Sequence, residues 1–322
     1  MKSHAIIPVF IPHKGCPNSC VFCNQNKITE NEEPASAEDV SGIIASWLRT
    51  LKHRGIGTIE AAFYGGSFTG IPIEQRSEYL KIARFYKDRG DIAKIRLSTR
   101  PDYIDDEILS NLKEYKVDTI ELGVQSFDDE VLLKSNRGHS SKAVYESSRM
   151  IKDYGFDLGL QLMIGLPGDT AEKDIFSANE LVKIKPEVAR LYPTNILEGT
   201  ELHKMYLAGE YALLTLEEAV DITKKMYKII SGAGINIIRV GLKGGFHSAF
   251  RQLVESEIAR DELERQLDSS SNAYRFICNE KSFSNMIGHM KSNKKYFNAK
   301  YPLKNISYEI DNRLANSEYV VI

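Results

Sequence analysis

Short apolar runs rich in β-branched and aromatic residues recur along the chain, and amphipathic segments fill the gaps between them. Ala5–Ile11, Thr58–Tyr64, Ile95–Thr99, Thr119–Val124, Leu158–Ile164, Val188–Tyr192 and Ile235–Val240 read as buried strands. Helical patterns run through roughly Ser36–His53, Pro72–Lys87, Ile104–Tyr115, Ser141–Tyr154 and Thr170–Ile184. A further helix starts at Thr215, where Thr215 and Glu218 have capping-box spacing, and stops near Gly232. Strand alternating with helix requires parallel pairing joined by right-handed crossovers. Six or seven such units predict an α/β fold over residues 1–242, a parallel β/α barrel that is either full or partial, the partial form being a (β/α)6-type barrel. Function in such barrels gathers at the carboxyl ends of the strands, and the unusual loops of this sequence lie there.

Lys243-Gly244-Gly245 links the last strand to a helical run from about Ser248 to Leu267, and Asp268–Asn272 reads as a short linker or turn. Tyr274–Cys278 alternates like a strand, followed by helix, turn, helix and a last strand near Ile306–Ile310. Residues 243–322 are therefore expected to form a small α+β region. From about residue 274 it takes on a KH-like look, because Met286-Ile287-Gly288-His289-Met290-Lys291-Ser292-Asn293-Lys294-Lys295 resembles the helix-turn-helix of KH-type RNA-binding modules. In those modules the turn clamps nucleotide backbone. Lys291 stands where the second glycine of that turn is expected. Between Tyr274 and Lys304 the basic residues are Arg275, Lys281, Lys291, Lys294, Lys295, Lys300 and Lys304, against the single acid Glu280. Tyr296, Phe297 and Tyr301 interleave with them. An RNA-binding face and a solvated helix face over core aromatics both fit that pattern. Cys278, with no cysteine nearby, is expected to be buried in its strand.

At 322 residues the chain can bury one large domain and a small one. The balance of 42 Lys and Arg against 44 Asp and Glu gives −2, which excludes a global polyanion-binding field but not a local basic patch. Ala5–Ile11 is too short for a signal-peptide core, and no stretch has the length and apolarity of a bilayer span, so no membrane association is expected. Four cysteines, three of them clustered, do not suit a disulfide framework and suit a reducing cytoplasm.

That cluster is the chemical centre of the sequence. Within His13-Lys-Gly-Cys-Pro-Asn-Ser-Cys-Val-Phe-Cys-Asn-Gln25, Cys16, Cys20 and Cys23 fall inside eight residues, a density that points to metal. Gly15, Pro17 and Asn18 keep the segment out of helix and strand, so that it can wrap round an ion or a cluster. Three thiolates without a fourth suit a 4Fe-4S cluster with one iron left open. Zinc is the alternative, with His13 completing a closed four-ligand site.

Other loops at the same end carry polar or glycine-rich signals. Tyr64-Gly65-Gly66-Ser67-Phe68-Thr69-Gly70 follows the second strand, and adjacent glycines let backbone approach a ligand closely, though a tight turn also uses them. The third strand ends in Ser98-Thr99-Arg100-Pro101-Asp102-Tyr103. Arg100 has Asp102 as an obvious salt-bridge partner and can equally face an anionic ligand at the barrel mouth. Glu121 and Gln125 lie inside the fourth apolar run, where buried polar groups need partners: a basic residue of the barrel, a cofactor or a substrate. After the fifth strand, Gly165 and Gly168 bracket a turn on which an adenine could lie, with Asp169 or Thr170 capping the next helix.

The cysteine spacing, with an aromatic before the last cysteine, resembles that of the radical S-adenosylmethionine (SAM) superfamily. Ser-Thr-Arg-Pro-Asp, Glu-Leu-Gly-Val-Gln-Ser, Gly-Leu-Pro-Gly, and Arg190-Leu-Tyr-Pro-Thr194 followed by Glu198-Gly-Thr-Glu-Leu202 look like the radical-SAM domain of the Elongator catalytic subunit. The cysteine loop is also similar to that of oxygen-independent coproporphyrinogen oxidases. The resemblance covers about residues 5 to 242 and favours iron over zinc. It implies a radical-SAM barrel in which Cys16, Cys20 and Cys23 hold a 4Fe-4S cluster whose open iron binds SAM. Reduction of the sulfonium would then release a 5′-deoxyadenosyl radical. By the same resemblance Phe22, the peptide after Cys23, Gly65, Gly66, Ser67, Gly165, Leu166 and Gly168 are expected at SAM, with Arg100, Glu121 and Gln125 as catalytic candidates further in. Two departures limit it: the sequence leaves no comparable length for the acetyltransferase domain of Elongator subunits, and Ser98 replaces an expected acidic residue. The implied partners are an electron donor such as flavodoxin or ferredoxin, and RNA, tRNA foremost, as substrate. A small metabolite or porphyrin as substrate, and a cluster-bearing binding protein without turnover, are the alternatives.

Overall fold

The computed structural model describes residues 4–11, 16, 20–23, 36–241, 247–268 and 270–322. His13, Gly15, Pro17, Asn18, the peptide after Cys23, the Lys243-Gly244-Gly245 link and Ser269 of the expected linker lie outside the described residues.

All seven expected strands are present: β1 (His4–Ile11), β2 (Thr58–Gly65), β3 (Lys94–Thr99), β4 (Thr119–Gln125), β5 (Asp157–Ile164), β6 (Val188–Pro193) and β7 (Asn236–Val240). They pair in parallel in sequence order. On the outer face alternate residues such as Ile7, Val9, Phe63, Leu97, Leu122, Leu160 and Leu191 meet the helices in one continuous core. Those helices are α1 (Ala37–Lys52), α2 (Ile73–Asp88), α3 (Asp106–Glu114), α4 (Asp129–Lys134), α5 (Ser141–Asp153), α6 (Ala171–Ile184), α7 (Glu201–Leu207) and α8 (Leu216–Gly232). The capping box expected at Thr215 and Glu218 opens α8. Thr170, not Asp169, caps α6 by accepting from the Lys173 amide. Helices α4 and α7 are absent from the sequence reading because six or seven residues are too few to display a period.

The inner face curls the sheet. Arg190 on β6 donates from Nη2 to the Tyr64 hydroxyl on β2 at 3.0 Å, although four strand spacings, about 19 Å on a flat sheet, separate the two strands. Between them lies a buried charged layer. Glu121 accepts from Arg96 Nη1 at 2.9 Å and from both Nε and Nη2 of Arg190. Arg96 also donates to Glu60 from Nε at 3.0 Å. Glu60, Arg96, Glu121 and Arg190 are each no more than 7% exposed. A side chain at Gly159 would put its Cβ 2.7 Å from the Glu121 Cγ, so that glycine leaves room for the carboxylate.

The C-terminal strands β8 (Ala273–Cys278), β9 (Asn305–Ile310) and β10 (Val320–Val321) form a separate sheet in the order β10-β8-β9. The pair β8–β9 is parallel and β8–β10 antiparallel. Helices α10 (Phe283–Ile287) and α11 (Ser292–Lys300) cross over between β8 and β9. Helix α9 (Phe250–Arg265) serves both cores: Phe250 and Val254 pack with the barrel, Ala259 and Leu263 with the smaller sheet. The interleaved aromatics are packing residues, since Phe297 is fully buried and the Tyr296 and Tyr301 hydroxyls donate to Glu264 of α9. Cys278 is buried in β8. Among the described residues no helix is long and apolar enough to cross a membrane.

Removing one member of a buried, paired set of charges strands the others, typically at about 3–5 kcal/mol. Glu121→Ala is therefore expected to lower stability by about that amount, read as a shift of the urea midpoint. An unshifted midpoint would show that Arg96 and Arg190 find other partners.

Candidate active site

The carboxyl ends of the strands surround a cavity of about 660 Å³, within the ~300–1,000 Å³ of typical cofactor and small-molecule sites. Cys16, Cys20 and Cys23 all line it, with Phe22, Gly65, Gly66, Arg100, Glu121 and Gln125. The cysteine segment is held by backbone on two sides. The Val21 amide donates to the Ser135 carbonyl at the end of α4 at 3.1 Å, and the Leu202 amide of α7 donates to the Val21 carbonyl at 2.8 Å. The two helices absent from the sequence reading thus clamp the loop that carries its strongest signal. Phe22 packs on Val131, Met163, Leu166 and Tyr192.

Gly65 is required by a close approach of backbone to backbone. Its φ is +126°, and a Cβ there would lie 2.0 Å from the Ile11 carbonyl oxygen, at the end of β1 from which the cysteine loop departs. Ser67 is fully buried and absent from the cavity lining; its hydroxyl is 2.8 Å from the Thr99 hydroxyl and accepts from the Arg100 amide. Arg100 has the salt-bridge partner expected from the sequence and also lines the cavity. It pairs with Asp102 at 2.9 Å and donates to the Arg137 carbonyl, while its buried Nη1 has no hydrogen-bond partner. Glu121 forms the cavity floor with its carboxylate committed to the two arginines below. Gln125 is 5% exposed with φ +73°, a left-handed conformation that costs a non-glycine residue about 1–3 kcal/mol. A register shift between Gly123 and Gln125 imposes it and brings Gln125 Oε1 to 3.2 Å from Gln161 Nε2, the donor.

The site also contains residues not singled out in sequence. Arg137 donates from Nη1 to Cys20 Sγ at 3.1 Å and from Nη2 to the Gly123 carbonyl, with its guanidinium 6.0 Å from the Phe22 ring centre. Its signal was the turn-forming Asn136-Arg137-Gly138, in which Asn136 and Gly138 have positive φ. Gln161, Glu201 and Lys204 complete the wall. Burial pushes the Cys16 thiol up, against the pull of Arg100 and Arg137. Burial, with Arg137 beside it, lowers His139 to about 4 and keeps it neutral.

Gly165, Leu166 and Gly168 line a second cavity of about 440 Å³, with Lys134, Met205, Tyr211 and Leu214. Leu166 also touches the Phe22 cluster, so this turn stands between the cysteine loop and the second cavity. Among the described residues no three Cys, His, Asp or Glu side chains form an assembled metal centre; the cysteines share a wall. A wall of three thiols beside a buried cationic donor without a partner nonetheless suits a cluster with an anionic ligand.

The chain is similar to known proteins in sequence and in fold. Residues 10–177 match the Radical SAM superfamily, and residues 186–260 match the Radical_SAM C-terminal domain. Elongator complex protein 3 of Homo sapiens is 27% identical over 269 residues, covering 70% of this chain and 49% of the relative. The tRNA uridine(34) acetyltransferase of Methanocaldococcus jannaschii is 26% identical over 256 residues, covering 68% and 47%. The chain thus spans about half the length of these curated relatives. Among solved structures, the archaeal Elp3 of Methanocaldococcus infernus superimposes with a TM-score of 0.65 at 21% identity, covering 82% of this chain and 64% of that one. Coproporphyrinogen III oxidase of Escherichia coli gives 0.51 at 19% identity, covering 72% and 53%.

One titratable pair lies beneath the Gly165–Asp169 turn. Burial raises Asp169 to about 6, and burial together with Asp169 raises Asp174 well above the usual carboxylate range. The two side chains are hydrogen-bonded to each other, as expected of carboxyls that share a proton. Carboxyls with raised pKa bind protons more tightly in the native state than in the unfolded one. Their contribution is therefore greatest near pH 4 and is lost as pH rises through about 6. Thermal midpoints should fall between pH 5 and pH 7.5, and Asp174→Asn should flatten that fall. A pH profile identical in the two proteins would show that no proton is shared.

Proposed function

The chain belongs to the radical SAM superfamily, and from that premise we propose that it is a cytoplasmic RNA-modifying enzyme, with tRNA its foremost substrate. The observation that carries the reading is the single cavity in which three cysteines, Arg100 and the Gln125–Gln161 pair meet. When bound, a 4Fe-4S cluster supplies one electron to the SAM sulfonium, giving methionine and a 5′-deoxyadenosyl radical.

Cys16, Cys20 and Cys23 would hold the cluster. Arg100, which lines the same cavity, would place a guanidinium charge near the SAM carboxylate. Gln125 and Gln161 face the cavity as neutral donors and acceptors, suited to hydroxyls or to the imide edge of a pyrimidine. Below them the charged layer closes the floor and keeps water from a reactive intermediate. The RNA part draws on relatives named for tRNA uridine modification, and the acetyl transfer in one of those names is not carried over. An electron donor, flavodoxin or ferredoxin, belongs to the same proposal.

Anaerobically purified protein is expected to be brown with about four irons per chain. Cys16→Ala, Cys20→Ala and Cys23→Ala should each abolish the colour, and Cys278→Ala should keep it. A colourless protein with stoichiometric zinc would overturn the cluster. For the substrate, tRNA nucleosides from cells with and without the gene should differ by one modified nucleoside. Unchanged profiles would move a small metabolite or porphyrin to first place.

A further inference from the structure

The KH-like turn lies at the catalytic end of the barrel. Strand β7 ends at the mouth, where the Gly241 amide donates to the Leu191 carbonyl of β6. The first residue of α9, Phe250, packs on Gly241, with ring carbon Cδ1 3.2 Å from where a Gly241 Cβ would sit. Helix α9 therefore begins beside the mouth and runs from the barrel core to the smaller one. The turn is fixed to that first stretch of α9. His289 Nδ1 lies 3.1 Å from Gln252 Oε1, and the His289 and His247 rings meet edge to face at 6.0 Å. Fully buried Asn293 ties the turn down by donating to the carbonyls of Ser256 on α9 and Asn285 on α10.

From this fixed base the turn presents charge to solvent. Lys291, which caps α11 in a left-handed conformation with φ 63°, is exposed, as are Lys294 and Lys295 in the first turn of that helix, so the three cluster at its start. Among the described residues no carboxylate lies within ion-pair distance of any of the three, whereas Lys300, on the same helix, is taken up by Glu264. Met290, beside them, is 77% exposed. Helix α9, on which the smaller sheet packs, contacts β7, one edge of a sheet whose other edge is β1, and these edges do not pair with each other among the described residues.

We infer that this lysine face binds the phosphate backbone of the RNA whose target nucleotide enters the cysteine-lined cavity, holding the strand beside the β7 edge of the barrel mouth. The inference rests on the RNA reading above and adds where the strand is held. Phosphate contacts carry little sequence information, so the face should supply affinity and register while the cavity selects the nucleotide.

The test is binding of tRNA to the full chain, purified anaerobically, over a salt series. Three lysines each meeting a phosphate of single-stranded RNA contribute a slope of about −2 in log affinity against log salt. Across a fourfold rise in salt, wild-type protein should then lose about 18-fold more affinity than the Lys291→Ala, Lys294→Ala, Lys295→Ala triple variant. The corresponding triple Lys→Arg variant should keep the wild-type slope, as should a triple alanine variant at Lys52, Lys142 and Lys225 on the barrel helices. Iron content should be the same in all. Wild-type binding with an unchanged slope in the first triple variant overturns the inference and leaves the RNA reading intact. No tRNA binding at the lowest salt also overturns it, and the nucleoside profile then decides separately whether the RNA reading survives. Displacement of tRNA by polyglutamate at equal charge concentration overturns it in favour of an acidic protein partner.

Discussion

The curl of the seven-stranded sheet depends on one buried carboxylate. Glu121 sits on β4, the middle strand, and draws Arg96 of β3 and Arg190 of β6 onto itself, while Arg190 reaches on to Tyr64 of β2. On a flat sheet Arg190 and Tyr64 would stand about 19 Å apart, and the contact that closes the layer from β6 to β2 would be lost. The electrostatics of the inner face thus bend the sheet, and the apolar outer face, packed on its helices, holds the bend. The same layer gives the cavity a closed floor, so the polar candidates above it face the mouth.

Above that floor the site is built by neighbours holding neighbours. Gly65 lets β2 run against the carbonyl of Ile11, which fixes where the cysteine loop leaves β1. Ser135 and Leu202 then take the two backbone groups of Val21 between Cys20 and Phe22. Arg100 donates to the carbonyl of Arg137, and Arg137 donates to Gly123 and Cys20. Arg100, Arg137 and the Cys20–Phe22 segment are thereby held by groups whose own conformation is set elsewhere, as a preorganised site requires.

Elements with a full period of hydrophobic signal were legible in the sequence. All seven barrel strands and the six longer barrel helices follow from alternation and amphipathicity, because burial on the outer face enforces both. Helices α4 and α7 and the two-residue strand β10 escaped, being shorter than the pattern that would reveal them. The three cysteines announced themselves through density. Arg137 and Gln161 did not, because an arginine after a short helix and a glutamine in a strand acquire meaning only when curl and a bulge bring them to one wall. Glu121 was read as either structural or functional, and its two arginines, 25 and 69 residues away, could not be assigned from sequence. The aromatics of the C-terminal region pointed two ways, and the hydroxyls of Tyr296 and Tyr301 on Glu264 identify them as packing.

Helix α9 has a thermodynamic consequence. Because its first turns complete the barrel core and its last turns complete the smaller one, neither sheet can melt without exposing apolar surface of the other. The free energy of opening is therefore shared along the helix, and the two units should unfold as one cooperative block. Strain or binding at the C-terminal turn is then felt by β7 at the barrel edge. A cut through the helix would destabilise both halves at once, although most residues of each lie far from the break.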